Sequence, residues 1–363
     1  MAIVGGSLAG LSLASRLARA GVAVGLWEER ARLGGFAWRA PGLLLSPLGE
    51  HPSRLAASLG EPVARAMLRF VQKNHGLLAE RGSFEACGSI HLAAMDGEDG
   101  DVERCLELLP RLGVPVEAVQ PRWGSQGFGP GYALPGDGRV DGPALVQALA
   151  AEARQAGGLL RAGSPVLELG HDQEGPWLQD EQGRVRVETV VFAGGAEQAR
   201  LERFFADSLH PVRHQWLLTE ETAVELPRAP ILGQHQHSLW SEERGRVLAG
   251  GARYVSLEME SGQTDDARIE PRIDHVLRAN LGRFFPRFAE LSIDYAWTAI
   301  AAHSCDGLPL IGPLPGRARL LALTGMHGQE YSLAFAAAEA IAAGLLGVPG
   351  PELPRLFQPT RLV

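Results

Sequence analysis

Two hydrophobic patterns follow one another at the start of the chain. Ala2-Ile3-Val4 is a continuous apolar run of the kind a buried strand makes, and it stops at Gly5-Gly6-Ser7-Leu8-Ala9-Gly10. Leu11, Leu13, Ala14, Leu17 and Ala18 then recur at helical spacing until Gly21, and residues 22–27 form a second apolar run with Glu28 at its end. The order predicts strand, tight turn, helix and strand. Helical spacing returns over residues 52–78, 102–112, 143–156 and 268–285, and in an alanine-rich stretch ending at Leu346. Strand patterns fall at residues 84–94, 166–169, 187–192 and 320–323, with a hairpin signal at residues 180–183. Residues 121–130 read as a loop, residues 136–141 as a turn whose Asp141 caps the next helix, and residues 211–297 as strand-rich.

The opening unit has a chemical meaning. Gly5 permits a tight turn, Ser7 is small enough for backbone to approach a pyrophosphate, and Gly10 allows close packing of helix on strand. The helix N-terminus supplies amide donors and partial positive charge for phosphates, and Glu28 is placed to accept from ribose hydroxyls. The spacing therefore predicts a dinucleotide site, FAD or NAD, with Ser7 standing where the fingerprint has its middle glycine. Residues 187–195 repeat the theme, a buried strand ending in Ala193-Gly194-Gly195. A third glycine-bearing loop, with Gly34, Gly35 and Gly42, runs to Leu45, Ser46 and Pro47.

Length and composition fit two domains of an ordinary globular protein: 363 residues, 45% hydrophobic and 21% charged. A formal charge of -8 argues against nucleic acid or an anionic membrane as partner. Lys73 is the single lysine, so the positive charge is almost all arginine. Cys87, Cys105 and Cys305 are widely spaced without a C-x-x-C pair, which speaks against a disulfide framework or zinc site, and no metal is expected. Arg16 and Arg19 interrupt the apolar N-terminal stretch, so it is not read as a secretory signal, and a cytoplasmic location is expected.

Four stretches together resemble the D-amino-acid oxidase, glycine oxidase and sarcosine oxidase family of FAD-dependent enzymes. They are the Gly5 fingerprint with Glu28, residues 131–141 before a helix, residues 190–195, and Asp306-Gly307-Leu308-Pro309 through Pro313 followed by Thr324-Gly325. Pro211-Val212-Arg213-His214-Gln215 is similar to the family's entry into its substrate domain. The resemblance implies an α/β (α+β) fold in which a Rossmann-like FAD-binding domain (residues 1–85, 136–208 and 298–363) is interleaved with an antiparallel-sheet substrate domain (86–135 and 209–297). It implies FAD, with the adenine end near Glu28, Glu29 and Val166 and the flavin ring near residues 42–47 and 324–329. It also implies hydride transfer from a C–H beside an amine nitrogen, giving an imine that water hydrolyses.

The chain departs from the family where a substrate carboxylate is held. Where members place carboxylate-clamping arginines, this sequence has Ala301 and Gly328, and such an arginine contributes roughly 1.5–3 kcal/mol per charge-assisted hydrogen bond. Arg253 is the cation considered as a replacement. Ala299 stands where sarcosine oxidases have the cysteine that tethers flavin, so FAD is expected to be non-covalent.

Predicted cofactor contacts are Gly5, Ser7, Leu8, Ala9, Gly10, Glu28, Glu29, Gly35, Leu45, Ser46, Val166, Ala193, Gly194, Gly195, Gly325, His327, Gly328, Gln329 and Glu330. Gln329 and Glu330 either meet the flavin pyrimidine edge or satisfy backbone groups, and Ser46 is either at the ring or an ordinary turn residue. Catalytic candidates are His303, His327, Tyr254 and His237, with His214, His235 and Trp240 as further polar candidates. His235-Gln236-His237 has a ligand-pair spacing but reads as a loop pair, Trp123 and Trp216 read as packing, and Cys305 as structural. The expected substrate is an amine lacking a free α-carboxylate, either a small molecule or a residue in a partner protein, as in maturation of quinone-bearing enzymes. A non-catalytic FAD-binding subunit is the alternative, and the oligomeric state is open.

Overall fold

Ala2, Ile3 and Val4 are buried on both sides, and that burial makes them the centre of a parallel sheet. A computed structural model describes residues 1–223, 225–233 and 237–363. In it Ala2–Val4 pairs in parallel with Gly25–Glu28 on one side and Val190–Phe192 on the other. Leu159–Ala162 extends the sheet beyond Gly25–Glu28, Arg317–Thr324 beyond Val190–Phe192, and Leu310–Leu314 closes that edge antiparallel. Helices Leu8–Arg19, Gly142–Gln155 and Glu330–Leu346 share one core beside this sheet. The alanines of the last helix have little side chain to separate it from Leu8–Arg19, so the two axes approach closely. Elsewhere against the sheet lie the short antiparallel strands Glu168–Asp172, Gly175–Asp180 and Gly183–Arg186, with Leu178 and Phe205 buried between.

A second sheet, antiparallel for most of its width, takes strands from four stretches of chain. Its order is Ile293–Ser304, Leu209–Thr219, Arg246–Gly251, Ser238–Glu243, Ile231–Gly233, Ser89–Leu92, Gly131–Leu134 and Glu117–Val119. Helix Pro271–Phe284 covers one face with Ile273, Leu277, Leu281 and Phe284 at helical spacing. The chain crosses between the sheets repeatedly, and Ile293–Ser304 runs straight through position 298 before turning back at Cys305.

Element ends differ from the periodicity where caps decide. The second strand starts at Gly25 rather than 22, after the left-handed Gly21. The helix expected over 268–285 starts at Pro271, with Glu270 capping Arg272 N. The strand expected over 84–94 is confined to Ser89–Leu92, since Gly88 turns the chain with φ +75°. Asp141 caps its helix as expected, accepting from Ala144 N at 3.0 Å.

Candidate functional site: a nucleotide groove and a histidine chain

At the carboxyl ends of Ala2–Val4 and Val190–Phe192 the two turns that follow lie against each other. Gly5 has φ +110°, and a Cβ there would sit 2.3 Å from Gly194 N, so neither close approach nor conformation tolerates a side chain. Ser7 caps the first helix, its Oγ accepting from Gly10 N at 3.2 Å. Glu28 accepts from Gly6 N at 2.6 Å and Arg30 N at 2.8 Å, and burial pushes its carboxyl up despite these donors. A groove runs from Glu28, Glu29 and Val166 past Gly194 to Ser7, Gly35, Phe36, Thr324, Gly325 and Glu330. At its far end burial pushes Glu330 up to about 7, and Glu330 Oε2 and Gln329 Oε1 have no hydrogen-bond partner among the described residues.

These features fit FAD. A glycine cradle meets a diphosphate, an acid at the second strand's end meets a ribose, and the buried Glu330, with an unpartnered Oε2, lines the opposite end. No cysteine lines the groove, and Ala299 is buried.

The antiparallel sheet brings a different set of groups to the same place. His210 pairs with His303, His214 with Ala299 and Trp216 with Trp297, so these side chains share one face. Arg213 and Gln215 point the other way: Arg213 is buried in an ion pair with Glu260 at 2.6 Å, and Gln215 Oε1 accepts from Glu270 N. On the near face His214 packs edge-on against Phe36, with ring centroids 5.2 Å apart, beside Trp216. His214 Nε2 lies 3.1 Å from His303 Nε2, and His303 Nδ1 lies 3.1 Å from His327 Nδ1. Burial, reinforced by neighbouring Arg253 and other histidines, holds His214 and His303 well below the usual imidazole range; His327 falls to about 4. All three rings are neutral at pH 7.

The two clamp positions have distinct fates. Ala301 is buried and lines the groove. A Cβ at Gly328 would lie 2.8 Å from His214 Cε1 and 3.1 Å from His214 Nε2, so the imidazole fills the space into which a side chain at 328 would project. Arg253, part-buried, donates to Met259 O at 3.3 Å; burial lowers its pKa while Glu260 opposes.

The groove gathers Gly5, Ser7, Ala9, Glu28, Glu29, Gly35, Val166, Ala193, Gly194, Gly195, Gly325 and Glu330 from the predicted set. Leu8 and Gly10 instead pack within the first helix. Leu45 N donates to Ser332 Oγ, and Ser46 is buried against Asp137, with Oγ to Oδ1 at 2.5 Å, in a network with Ser89 that takes its hydroxyl off the groove. His327 and Gly328 lie behind the groove at the histidine chain, with Gln329 following them. His303 and His327 are joined, whereas Tyr254 and His237 do not line the groove: Tyr254 is 42% exposed and meets Asn280 at 3.3 Å, and His237 sits in an exposed turn. His235 lies outside the described residues. Trp240 is core, and Cys305 is an exposed free thiol. Phe36, Ile300, Ala302, Met326 and Ser304 were not singled out by sequence reasoning, and Asp306, named there for its motif, is a partner of Ser304. Strand register reveals Ile300 and Ala302, while Phe36 and Met326 lie off the strands and meet the groove only in the folded chain.

A parallel sheet with this cradle, joined to an antiparallel sheet that faces the same groove, defines a dinucleotide-dependent oxidoreductase. Residues 1–343 match the family of FAD dependent oxidoreductases, and the chain belongs to it. It is 26% identical over 344 residues to the glycine oxidase of Geobacillus kaustophilus, covering 90% of this chain and 87% of that one. Against the Pseudomonas aeruginosa glycine oxidase it is 28% identical, covering 94% and 93%. Human mitochondrial dimethylglycine dehydrogenase is 28% identical over 86% of this chain but only 39% of its own length. The fold is that of the L-proline dehydrogenase of P. horikoshii (TM-score 0.84, 19% identity, coverage 99% and 96%). The protein is thus an FAD-dependent oxidoreductase of the amino-acid and amine oxidase family. Among the described residues no helix is long and apolar enough to cross a membrane.

Proposed function

We propose that this enzyme oxidises an amine whose carbon beside nitrogen carries no free carboxylate gripped by a guanidinium. The observation carrying this reading is His214: a neutral imidazole fills the space open to a side chain at 328, while Ala301 presents a methyl group. A carboxylate there would lose charge-assisted hydrogen bonds and meet a low-polarity wall of Phe36, Trp216 and Ala301. Bound in the groove, FAD supplies the two-electron acceptor; the chain's own residues orient the amine and exclude water. The groove residues from Gly5 to Glu330 named above are the proposed cofactor contacts. The halves 1–85, 136–208 and 298–363 against 86–135 and 209–297 are the proposed division between cofactor and substrate.

A second reading, a residue presented by a partner protein, is favoured by a neighbouring open cavity of about 970 Å³. Trp38, Ala40, Leu248 and Trp297 line it on the sheet's near face, and its Arg139 and Arg228 are committed to Glu243, Glu85 and Glu242. Anaerobic bleaching of the flavin by glycine, sarcosine, D-amino acids, simple amines and amino-acid esters tests both readings. Simple amines or esters should outpace the free acids, and rapid bleaching by glycine would overturn the first reading. Bleaching only by a protein substrate would select the second; a chain that takes up FAD and is reduced by nothing would be a non-catalytic subunit.

A further inference from the structure

Glu330 stands apart from the other acids of the groove. Glu28 accepts from Gly6 N and Arg30 N, Glu29 pairs with Arg200, and Glu197 accepts from Gly195 N at 3.0 Å, so each of these carboxylates has a donor to share its charge. Glu330 opens the helix Glu330–Leu346 and lines the same groove with Ser7, Ala9, Phe36 and Met326. Its Oε2 is buried with no hydrogen-bond partner among the described residues. The cations among the described residues of the groove are Arg30 and Arg200, both at the Glu28 end and already paired with Asp266 and Glu29. A charge on Glu330 would therefore lie in a low-dielectric wall with nothing of opposite sign against it, whereas its neutral form keeps one O–H donor.

We propose that Glu330 binds FAD as a neutral carboxyl group, its O–H donating to an acceptor on the flavin half of the cofactor, so that an apoprotein ionised at this residue takes up a proton together with FAD. FAD in this groove is the premise taken from the reading above, and the identity of the amine does not enter. The Glu330 carboxylate, one solvent proton and FAD give the holoprotein with Glu330 as the acid; no bond within FAD changes and no electrons move.

The surroundings favour the neutral form. The charged and titratable groups on the elements packed about Glu330 are Tyr331 beside it, His327 in the turn before it, Asp141 at the cap of Gly142–Gln155, His75 on the helix Glu61–Glu80, and Asp137 behind Ser46. Tyr331 donates its hydroxyl to Ala37 O, and burial holds both His75 and His327 at about 4, so none of these three is charged at pH 7. Asp137 is occupied by Ser46 and Ser89, and Asp141 by Ala144 N. Burial accordingly pushes Glu330 up to about 7, opposed only by its own backbone N–H. FAD seated over this wall removes the remaining 9% exposure and brings an anionic diphosphate into the same groove, both of which raise the value further. Because the holoprotein holds the proton more tightly than the apoprotein, FAD affinity is full below about pH 7 and falls as pH rises from there to the holoprotein's own higher value.

The test titrates apoprotein with FAD between about pH 5.5 and pH 9, wild type against Glu330→Gln, which keeps a donor and cannot ionise. Wild-type affinity should fall on the order of tenfold per pH unit above about pH 7. Calorimetry in two buffers of different ionisation heat should count about one proton taken up per FAD near pH 8 and almost none near pH 5.5. Glu330→Gln should bind FAD about as tightly as wild type does at low pH, keep that affinity to pH 9 and take up no proton. In infrared difference spectra of holoprotein minus apoprotein at about pH 8, wild type should gain the carbonyl stretch of a neutral carboxyl group that Glu330→Gln lacks. A flat wild-type affinity profile, or no proton uptake near pH 8, would overturn the proposal while leaving FAD in the groove; it is the result expected of a Glu330 carboxylate that accepts from the cofactor. A pH dependence that survives in folded Glu330→Gln would overturn it equally, moving the proton to another acid such as Glu28. If Glu330→Gln does not fold, the wild-type proton count and infrared band decide by themselves. A chain that takes up no FAD at any pH would remove the premise and the proposal together.

Discussion

The two ends of the groove are built from different materials. The nucleotide end is made of backbone: Gly5 against Gly194, a capped helix N-terminus, and the Glu28 carboxylate on neighbouring amides. The end facing the antiparallel sheet is made of side chains from three segments, His214 and His303 on paired strands and His327 in the turn after Thr324, whose ring nitrogens meet in the folded chain. Backbone sites tolerate no added atom but say little about substrate. Side-chain sites accept substitution, and substitution there redefines what is bound.

The sharpest way to break this contrast is at Gly5. Gly5→Ala should leave the purified protein without flavin absorbance, since a strained left-handed alanine costs ~1–3 kcal/mol and the clash at Gly194 a further ~1–3 kcal/mol. Next comes Glu330, whose folded pKa of about 7 exceeds its ordinary 4.5. The folded state then binds more protons than the unfolded one between those values, so the FAD-free protein's stability is fully present below pH 4.5 and lost as pH rises through 7. The loss is at most about 3 kcal/mol, and Glu330→Gln should flatten it in pH-dependent urea melts. Glu28→Ala should weaken FAD binding by roughly 1.5–3 kcal/mol, measured by titration of the apoprotein. At the side-chain end, Gly328→Arg should lower stability by ~1–3 kcal/mol because the new side chain meets His214. Adding His214→Gly should recover most of that loss and give glycine access to flavin reduction. The smallest effect belongs to Tyr254→Phe, which should leave the rate of flavin reduction within about twofold, since exposed substitutions usually change little.

Legibility followed the same divide. Strand, turn, helix, strand and Glu28 stand within thirty residues, so local spacing determines their geometry and the nucleotide end can be read from sequence. His303 and His327 are among the sequence candidates, and His303 proves to lie on the strand Ile293–Ser304 rather than in a loop; their partner His214 belongs to Pro211-Val212-Arg213-His214-Gln215, where alternation decides which side chains share a face. Arg213 and Gln215 turned out to serve the opposite face. Tyr254 and His237 resemble His303 in type and general region, yet nothing in their local sequence marks the exposed turn and short helical segment that carry them away from the groove. Ser46 was ambiguous because its partner Asp137 lies 91 residues away.

The central strand Ala2–Val4 also has a consequence in time. It lies between Gly25–Glu28 and Val190–Phe192, and the sheet gains its last strands only at Arg317–Thr324 and Leu310–Leu314. During synthesis the fingerprint turn therefore emerges long before the partner that presses against it, and the histidine strand Ile293–Ser304 later still. Contacts so distant in the chain fold slowly and leave apolar strands unpaired meanwhile. A nascent chain released before Thr324 would present the Gly5 and Gly194 turns but lack the wall formed by Thr324, Gly325, Met326 and Glu330, so the groove is completed only at the final stage of translation.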